Sequence, residues 1–169
     1  PSPPPPPASS GAEGPQELHF TGTWSITGNR QTLDMGSDHR AEIFRLGGSL
    51  MLAGDSRPGL AFRSDIVGLR DNQSGMQARS VWTDERGDQV FSELRGGAGG
   101  PGQPIEGRFV GGTGRYAGVS GQYTFKWRTL VESEDGSVSG RVVDLEGWAR
   151  IGAPADTPTP GQGATGARP

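Results

Sequence analysis

The chain of 169 residues contains no cysteine. A disulfide framework, a cysteine nucleophile and a thiolate metal site are therefore excluded. Histidine is scarce as well, and the two that occur, His19 and His39, lack the close spacing of paired zinc or iron ligands. A Gly-x-Ser-x-Gly nucleophile elbow is also missing, so serine hydrolase chemistry has no support. We expect no metal and no other cofactor.

Long apolar runs and basic stripes are missing too. No stretch approaches the roughly 18 apolar residues that a membrane helix needs, so no membrane span is expected. The net charge is −3, and acidic and basic residues are interspersed along the chain. Without a basic stripe to follow a phosphate backbone, nucleic acid is not expected as a partner. Lys126 is the only lysine beside many arginines, a usage typical of a GC-rich genome, which predicts a bacterial source.

Proline is rare in the middle of the chain and concentrated at its two ends. Only Pro58, Pro101 and Pro104 lie between residues 17 and 152. The ends carry few large apolar residues, so they cannot bury enough surface to offset the entropy lost on ordering. The predicted organisation has three parts. They are a disordered proline-rich leader over residues 1–16, one folded domain over 17–152, and a disordered proline- and glycine-rich tail over 153–169.

The proline-rich leader admits two interpretations. Its run Pro3–Pro7 favours a stiff polyproline conformation, which acts as a spacer or docks into an aromatic groove of a protein partner.

The sequence starts at Pro1 rather than Met, which favours a mature form from which a targeting segment was removed. We therefore expect an exported protein in a periplasmic or extracellular location. The alternatives are a trimmed fragment and a cytoplasmic location.

Between the tails, apolar residues alternate with polar ones, and turn residues recur every 10–15 positions, which is typical of β-strands. The first predicted strand ends at Gly28-Asn29, and Gln31–His39 is expected to form a loop or one helical turn. Eight antiparallel strands with short connections close into a barrel, because closure removes exposed sheet edges. We predict an all-β, eight-stranded antiparallel barrel without long helices; a flattened sandwich is the alternative. The predicted strands cover residues 18–26, 40–52, 60–69, 76–84, 89–94, 105–110, 121–132 and 138–151.

The segment Gly111–Tyr123 reads GGTGRYAGVSGQY and is the most distinctive stretch of the chain. It resembles a signature of the allene oxide cyclase and dirigent barrel superfamily, in which such a segment joins two late barrel strands. The resemblance implies an allene oxide cyclase-like, calycin-like barrel, but it transfers no catalytic residue. Its glycines permit positive φ and close backbone approach, and Tyr116 is placed to plug the barrel end. A phosphate-binding loop is excluded because a strand follows, not a helix N-terminus.

Seven aromatic residues supply most of the aromatic area of the predicted strands. Alternation places each on the more apolar face of its strand, which is the face that lines a barrel interior. Trp127 has an outward orientation as an alternative, because its neighbours Lys126 and Arg128 are charged. We expect an apolar ligand pocket drawn from this set: Trp24, Phe44, Phe62, Phe91, Tyr123, Phe125 and Trp127.

Glu42 and Glu93 are the candidate polar contacts of that pocket and the only weak candidates for an acid or base. A carboxylate among apolar neighbours would have a raised pKa and could transfer protons. The alternative is that cross-strand arginines pair with each carboxylate.

Three functions are consistent with these features. The first is binding of a small apolar molecule inside the barrel without chemistry. The second, implied by the family resemblance, is a cyclase or isomerase that folds a polyene or epoxide by confinement, without metal or nucleotide. The third is a structural subunit of an envelope complex. The exported, tailed layout favours the first and the third.

Overall fold

In the computed structural model, which describes residues 17–54, 57–99 and 102–152, eight antiparallel strands form one closed barrel. Each strand pairs with the next, and the last pairs with the first. The predicted eight-stranded barrel is therefore confirmed, whereas the predicted tails lie outside the described residues. The strands are β1 (Glu17–Asp34), β2 (Arg40–Gly54), β3 (Arg57–Asp71), β4 (Gly75–Asp84), β5 (Gln89–Gly96), β6 (Pro104–Gly112), β7 (Ser120–Glu132) and β8 (Ser137–Arg150).

The alternation of side chains along each strand decides which of them enter the barrel. In β1, Trp24 and Ile26 are buried, while Thr23 and Ser25 between them are exposed. Successive side chains of a strand point to opposite faces, so every second residue is interior. The same alternation holds along β3, where Phe62 and two further residues on its face are buried.

The first strand is longer than predicted, so the proposed turn at Gly28-Asn29 is wrong. β1 pairs with β2 continuously from Phe20 to Asp34, and the chain turns only afterwards, where Met35 N donates to His39 O at 2.8 Å. Gly28 is required for packing instead, because a Cβ there would lie 2.8 Å from the Cα of Leu46. Within the described residues, the only helical element is a 3-10 turn at Gly114–Tyr116, and none of them forms a helix long and apolar enough to cross a membrane.

The centre of the barrel is filled by five large side chains, which we call the aromatic plug. Ring centroids of Trp82 and Tyr123 are 4.9 Å apart, and Trp24 meets Trp82 edge-on at 5.7 Å. The indole Nε1 of Trp24 donates to Ser64 Oγ at 2.6 Å, so its burial leaves that donor satisfied. The plug separates a cavity at one end of the barrel from a cavity at the other. Its members are Trp24, Trp82, Phe109, Tyr123 and Phe125.

The two ends are named here after a residue at each. At the Tyr116 end, β1, β3, β5 and β7 begin and the 3-10 turn crosses from β6 to β7. At the Trp127 end, β2, β4, β6 and β8 begin.

Candidate functional site

A cavity of about 220 Å³ opens at the Tyr116 end. A dry apolar cavity of about 150 Å³ holds benzene, so this one accommodates a molecule of about one to two rings. Within the described residues, Glu17 and His19 at its rim are the only acidic or basic side chains that line it. The other lining residues are apolar or aromatic: Leu18, Phe20, Leu52, Ala53, Gly54, Leu60, Phe62, Trp82, Val90, Phe109, Tyr116, Val119, Ala149 and Ile151.

The 3-10 turn Gly114–Tyr116 covers this cavity. Gly114 has a φ of 52° and Gly118 a φ of 72°, a region that side chains with a Cβ rarely adopt. These two glycines let the chain reverse so that Tyr116 and Val119 both line the cavity. The ring of Tyr116 lies 5.7 Å from that of Phe62, which agrees with the expectation that Tyr116 plugs the barrel end.

Asp84, the last residue of β4, lies beneath the covering turn. Its side chain is 1% exposed, and its carboxylate accepts hydrogen bonds from the backbone N–H of Arg86 at 2.8 Å and of Asp88 at 3.0 Å. Arg115 Nη2 lies 2.6 Å from Asp84 Oδ2. Burial alone would raise the pKa of Asp84, but these donors, the Tyr116 hydroxyl and the charge of Arg115 together lower it. Asp84 is therefore ionised, and its ionic partner is Arg115.

Tyr116 takes part in the same cluster. Arg115 Nε donates to the Tyr116 hydroxyl at 2.9 Å, and the guanidinium carbon lies 5.1 Å from the centroid of that ring. Burial raises the pKa of Tyr116 to about 12, outweighing the opposite effect of the Arg115 charge. The phenol therefore stays protonated at neutral pH, and the cluster of Asp84, Arg115 and Tyr116 holds the turn against the barrel.

The sequence-predicted pocket residues are divided among different places. Only Phe62 of the seven lines the cavity at the Tyr116 end. Trp24, Tyr123 and Phe125 belong to the aromatic plug, where they fill space. The remaining interior residues of the set, Phe44 and Trp127, line the cavity at the Trp127 end together with Glu42.

Phe91 is not an interior residue, so the prediction that it faces the pocket is wrong. On β5 the buried side chains are Val90, Ser92 and Leu94, each at most 4% exposed. Because alternate residues face opposite sides, Phe91 and Glu93 lie on the outer wall.

Glu93 is correspondingly an ion-paired surface residue. It lies opposite Arg79 on β4 and Arg108 on β6, and its carboxylate oxygens are 3.2 Å and 3.0 Å from their guanidinium nitrogens. The hydrogen bond from Arg108, followed by the charge of Arg79, lowers its pKa. The raised pKa considered from the sequence is thus wrong for Glu93, and the alternative of cross-strand arginines is confirmed.

Several residues of the site were missed by the sequence reasoning. The sequence does contain a signal that Phe109 faces the interior, because the charged neighbour Arg108 marks the opposite face of the strand as the outer one. The corresponding signal for Trp82 is weak, because Trp82 shares its face of β4 with the polar residues Ser80 and Asp84. No cluster of three or more histidine, aspartate or glutamate side chains suited to a metal ion occurs within residues 17–54, 57–99 and 102–152.

Neither a protein-family model nor a curated protein matches the chain. Among solved structures, the chain is similar to the pterocarpan synthase dirigent protein GePTS1, with 15% sequence identity and a TM-score of 0.49. The similarity covers 87% of this chain and 98% of that one.

Proposed function

We propose that this protein binds a small, uncharged, apolar molecule in the cavity at the Tyr116 end and carries out no chemistry on it. The observation that supports this most is the cavity of about 220 Å³ with aromatic and aliphatic walls. Burying apolar ligand surface there contributes roughly 25 cal/mol per Å². The floor is formed by Trp82 and Phe109 of the aromatic plug, so the ligand enters only part of the barrel.

The charges around this cavity support an uncharged ligand. Glu17 at the rim lies 3.1 Å from His19 and 2.8 Å from Arg150, and Asp84 is paired with Arg115. A charged ligand would lose its hydration without gaining a free partner, which costs several kcal/mol.

The protonation states of Tyr116 and Asp84, in the cluster that holds the covering turn, support binding over catalysis. A general acid or base works best with a pKa near the operating pH. Tyr116 has a pKa of about 12, and the pKa of Asp84 is lowered, so both are far from neutrality in opposite directions. The cyclase or isomerase and the envelope subunit stay alternative predictions. Bacterial origin, export and a periplasmic or extracellular location likewise stay predictions of the sequence.

Titration with naphthalene tests the binding proposal. Ala149 lines the cavity from β8, so Ala149→Phe fills it, whereas Ala61→Phe adds the same ring to the exposed face of β3. We expect naphthalene to shift amide resonances at the Tyr116 end of the wild type, and its Kd to rise at least about tenfold in Ala149→Phe, since a tenfold change needs only about 1.4 kcal/mol. Ala61→Phe should bind like the wild type.

Two results would contradict the proposal. One is the absence of naphthalene binding to the wild type, and the other is equal binding to Ala149→Phe and Ala61→Phe. Melting curves of both variants establish that each is folded at the temperature of the titration.

A further inference from the structure

The cavity at the Trp127 end has a different lining from the one described above. Its volume is about 160 Å³, and its walls combine apolar side chains with three charged ones, Arg30, Glu42 and Arg70. The plug lies between the two cavities, so this second cavity is independent of the proposed function. The apolar side chains of the lining are Phe44, Met76, Pro104, Ile105, Trp127 and Val138.

Arg30 is neutralised by its neighbours. Its Nη1 lies 3.2 Å from Glu42 Oε1, and its Nη2 contacts Glu132 Oε1. The side chains of Arg30 and Glu42 are only 26% and 16% exposed, so the pair is partly shielded from water. Two carboxylates therefore share one guanidinium.

Unlike Arg30, Arg70 has no carboxylate partner among the residues that the structure describes. It lies opposite Glu42 in the β2–β3 register, yet the Glu42 carboxylate is directed to Arg30. Within residues 17–54, 57–99 and 102–152, no carboxylate oxygen lies within 4.0 Å of the Arg70 guanidinium. A guanidinium presents a planar fork of N–H donors that matches the two oxygens of a carboxylate.

We propose that the cavity at the Trp127 end binds a small aromatic carboxylate, with its carboxylate on Arg70 and its ring between Phe44, Met76 and Trp127. The volume of about 160 Å³ suits a single six-membered ring. Two of the walls are aromatic, and ring pairs in offset or edge-to-face contact are favourable beyond their buried area.

The charges around the cavity predict opposite changes in anion affinity when Arg70 and Glu42 are substituted. Arg30 and Arg70 are balanced by Glu42 and Glu132, so the affinity for an anion depends on direct contact with Arg70 and is opposed by nearby Glu42. Removing the Arg70 charge should weaken binding of an anion, and removing the Glu42 charge should strengthen it.

Benzoate, with benzamide as its uncharged counterpart, is the probe for the test. Isothermal titration and amide resonance shifts are measured on wild type, Arg70→Gln, Glu42→Gln and Arg45→Gln, the last being an exposed arginine on the outer face of β2. The Kd of benzoate should rise at least about tenfold in Arg70→Gln, as for loss of a charge-assisted hydrogen bond, and should stay unchanged in Arg45→Gln. Glu42→Gln should lower the Kd of benzoate. Benzamide should bind to the wild type and to Arg70→Gln with the same affinity.

The proposal is overturned if wild type does not bind benzoate, if Arg70→Gln binds it as well as Arg45→Gln, or if its resonance shifts lie at the Tyr116 end. Should Arg70→Gln fail to fold, Glu42→Gln decides: unchanged or weaker benzoate binding contradicts the proposal. Loss of naphthalene binding at the Tyr116 end has no bearing on these outcomes.

Discussion

The two ends of the barrel are built from the same eight strands, yet they offer different environments. The Tyr116 end is covered by a 3-10 turn, and its cavity is almost wholly apolar. The Trp127 end carries two arginines and a glutamate among its apolar walls. Because the alternation of a strand decides only which residues point inward, the chemistry of each cavity depends on which residue types occupy the inward positions near each strand end.

Carboxylates at the two ends differ in how deeply they are buried. Asp84 at the Tyr116 end is 1% exposed and has backbone donors and a guanidinium around it. Asp34 at the Trp127 end is 67% exposed and pairs with Arg40 at 2.9 Å. An ion pair in water contributes little, whereas a buried carboxylate that loses its partners costs much more. We therefore expect the stability of the turn that covers the Tyr116 end to depend on its ion pair. The stability of the β1–β2 hairpin at the Trp127 end should not depend on the pair of Asp34 and Arg40.

The largest effect is expected at the aromatic plug that keeps the two ends apart. Trp82→Ala removes a 1% exposed side chain that meets four other aromatic rings. It should lower the free energy of unfolding by about 3–5 kcal/mol, measured by chemical denaturation. Trp148→Ala, on the outer wall, is the control and should cost less than about 1 kcal/mol. Similar losses for both would mean that the plug does not support the barrel.

A smaller effect is expected when the charge of a carboxylate is removed at either end. Asp84→Asn should lower the free energy of unfolding by about 2 kcal/mol, because it removes the buried charge that pairs with Arg115. The loss is limited because the side chain of Arg115 is 35% exposed and recovers part of its hydration. Asp34→Asn should leave stability unchanged within the error of a denaturation curve. If Asp34→Asn cost as much as Asp84→Asn, burial would not be what distinguishes the two ends.

The smallest effect concerns acid pH at the Trp127 end. The hydrogen bond to His39, and then those from the backbone N–H of Gln73 and Ser74, lower the pKa of Asp71 to about 2 from an ordinary value of 3.8. Since the folded protein binds this proton less tightly, the interaction stabilises the fold above about pH 3.8 and is lost as the pH falls through about 2. An NMR titration of the Asp71 carboxyl group should show the low pKa directly.

Two variants test the cause of that low pKa. His39→Ala should raise the pKa of Asp71 toward its ordinary value without reaching it, because the Gln73 and Ser74 donors remain. His19→Ala, at the other end of the barrel, should leave the titration unchanged. An unchanged Asp71 titration in His39→Ala would show that the backbone donors alone produce the shift.

Much of the fold was predictable because strand alternation is a local property. The eight strands lie near their predicted positions, and Tyr116 lines the barrel end as its glycine-rich segment suggested. The prediction failed where a face has mixed character. Phe91 and Glu93 share the outer face of β5, so an aromatic residue does not by itself mark the interior face. Val90 and Leu94, on the opposite face, are the buried ones.

By itself, the sequence determined the class of structure: alternating residues and frequent turns specify many short antiparallel strands, and closure follows from the need to pair every edge. Only the tertiary structure decided how the interior is divided. Trp24, Trp82 and Tyr123 lie on three different strands. Whether they line a cavity or fill the centre depends on the registers that bring the rings of Trp24 and Tyr123 within 6 Å of the ring of Trp82. The registers likewise set Arg70 opposite Glu42, and only the coordinates direct the Glu42 carboxylate to Arg30 and leave Arg70 facing a cavity. Such contacts depend on the positions of several strands at once, which no single stretch of sequence encodes.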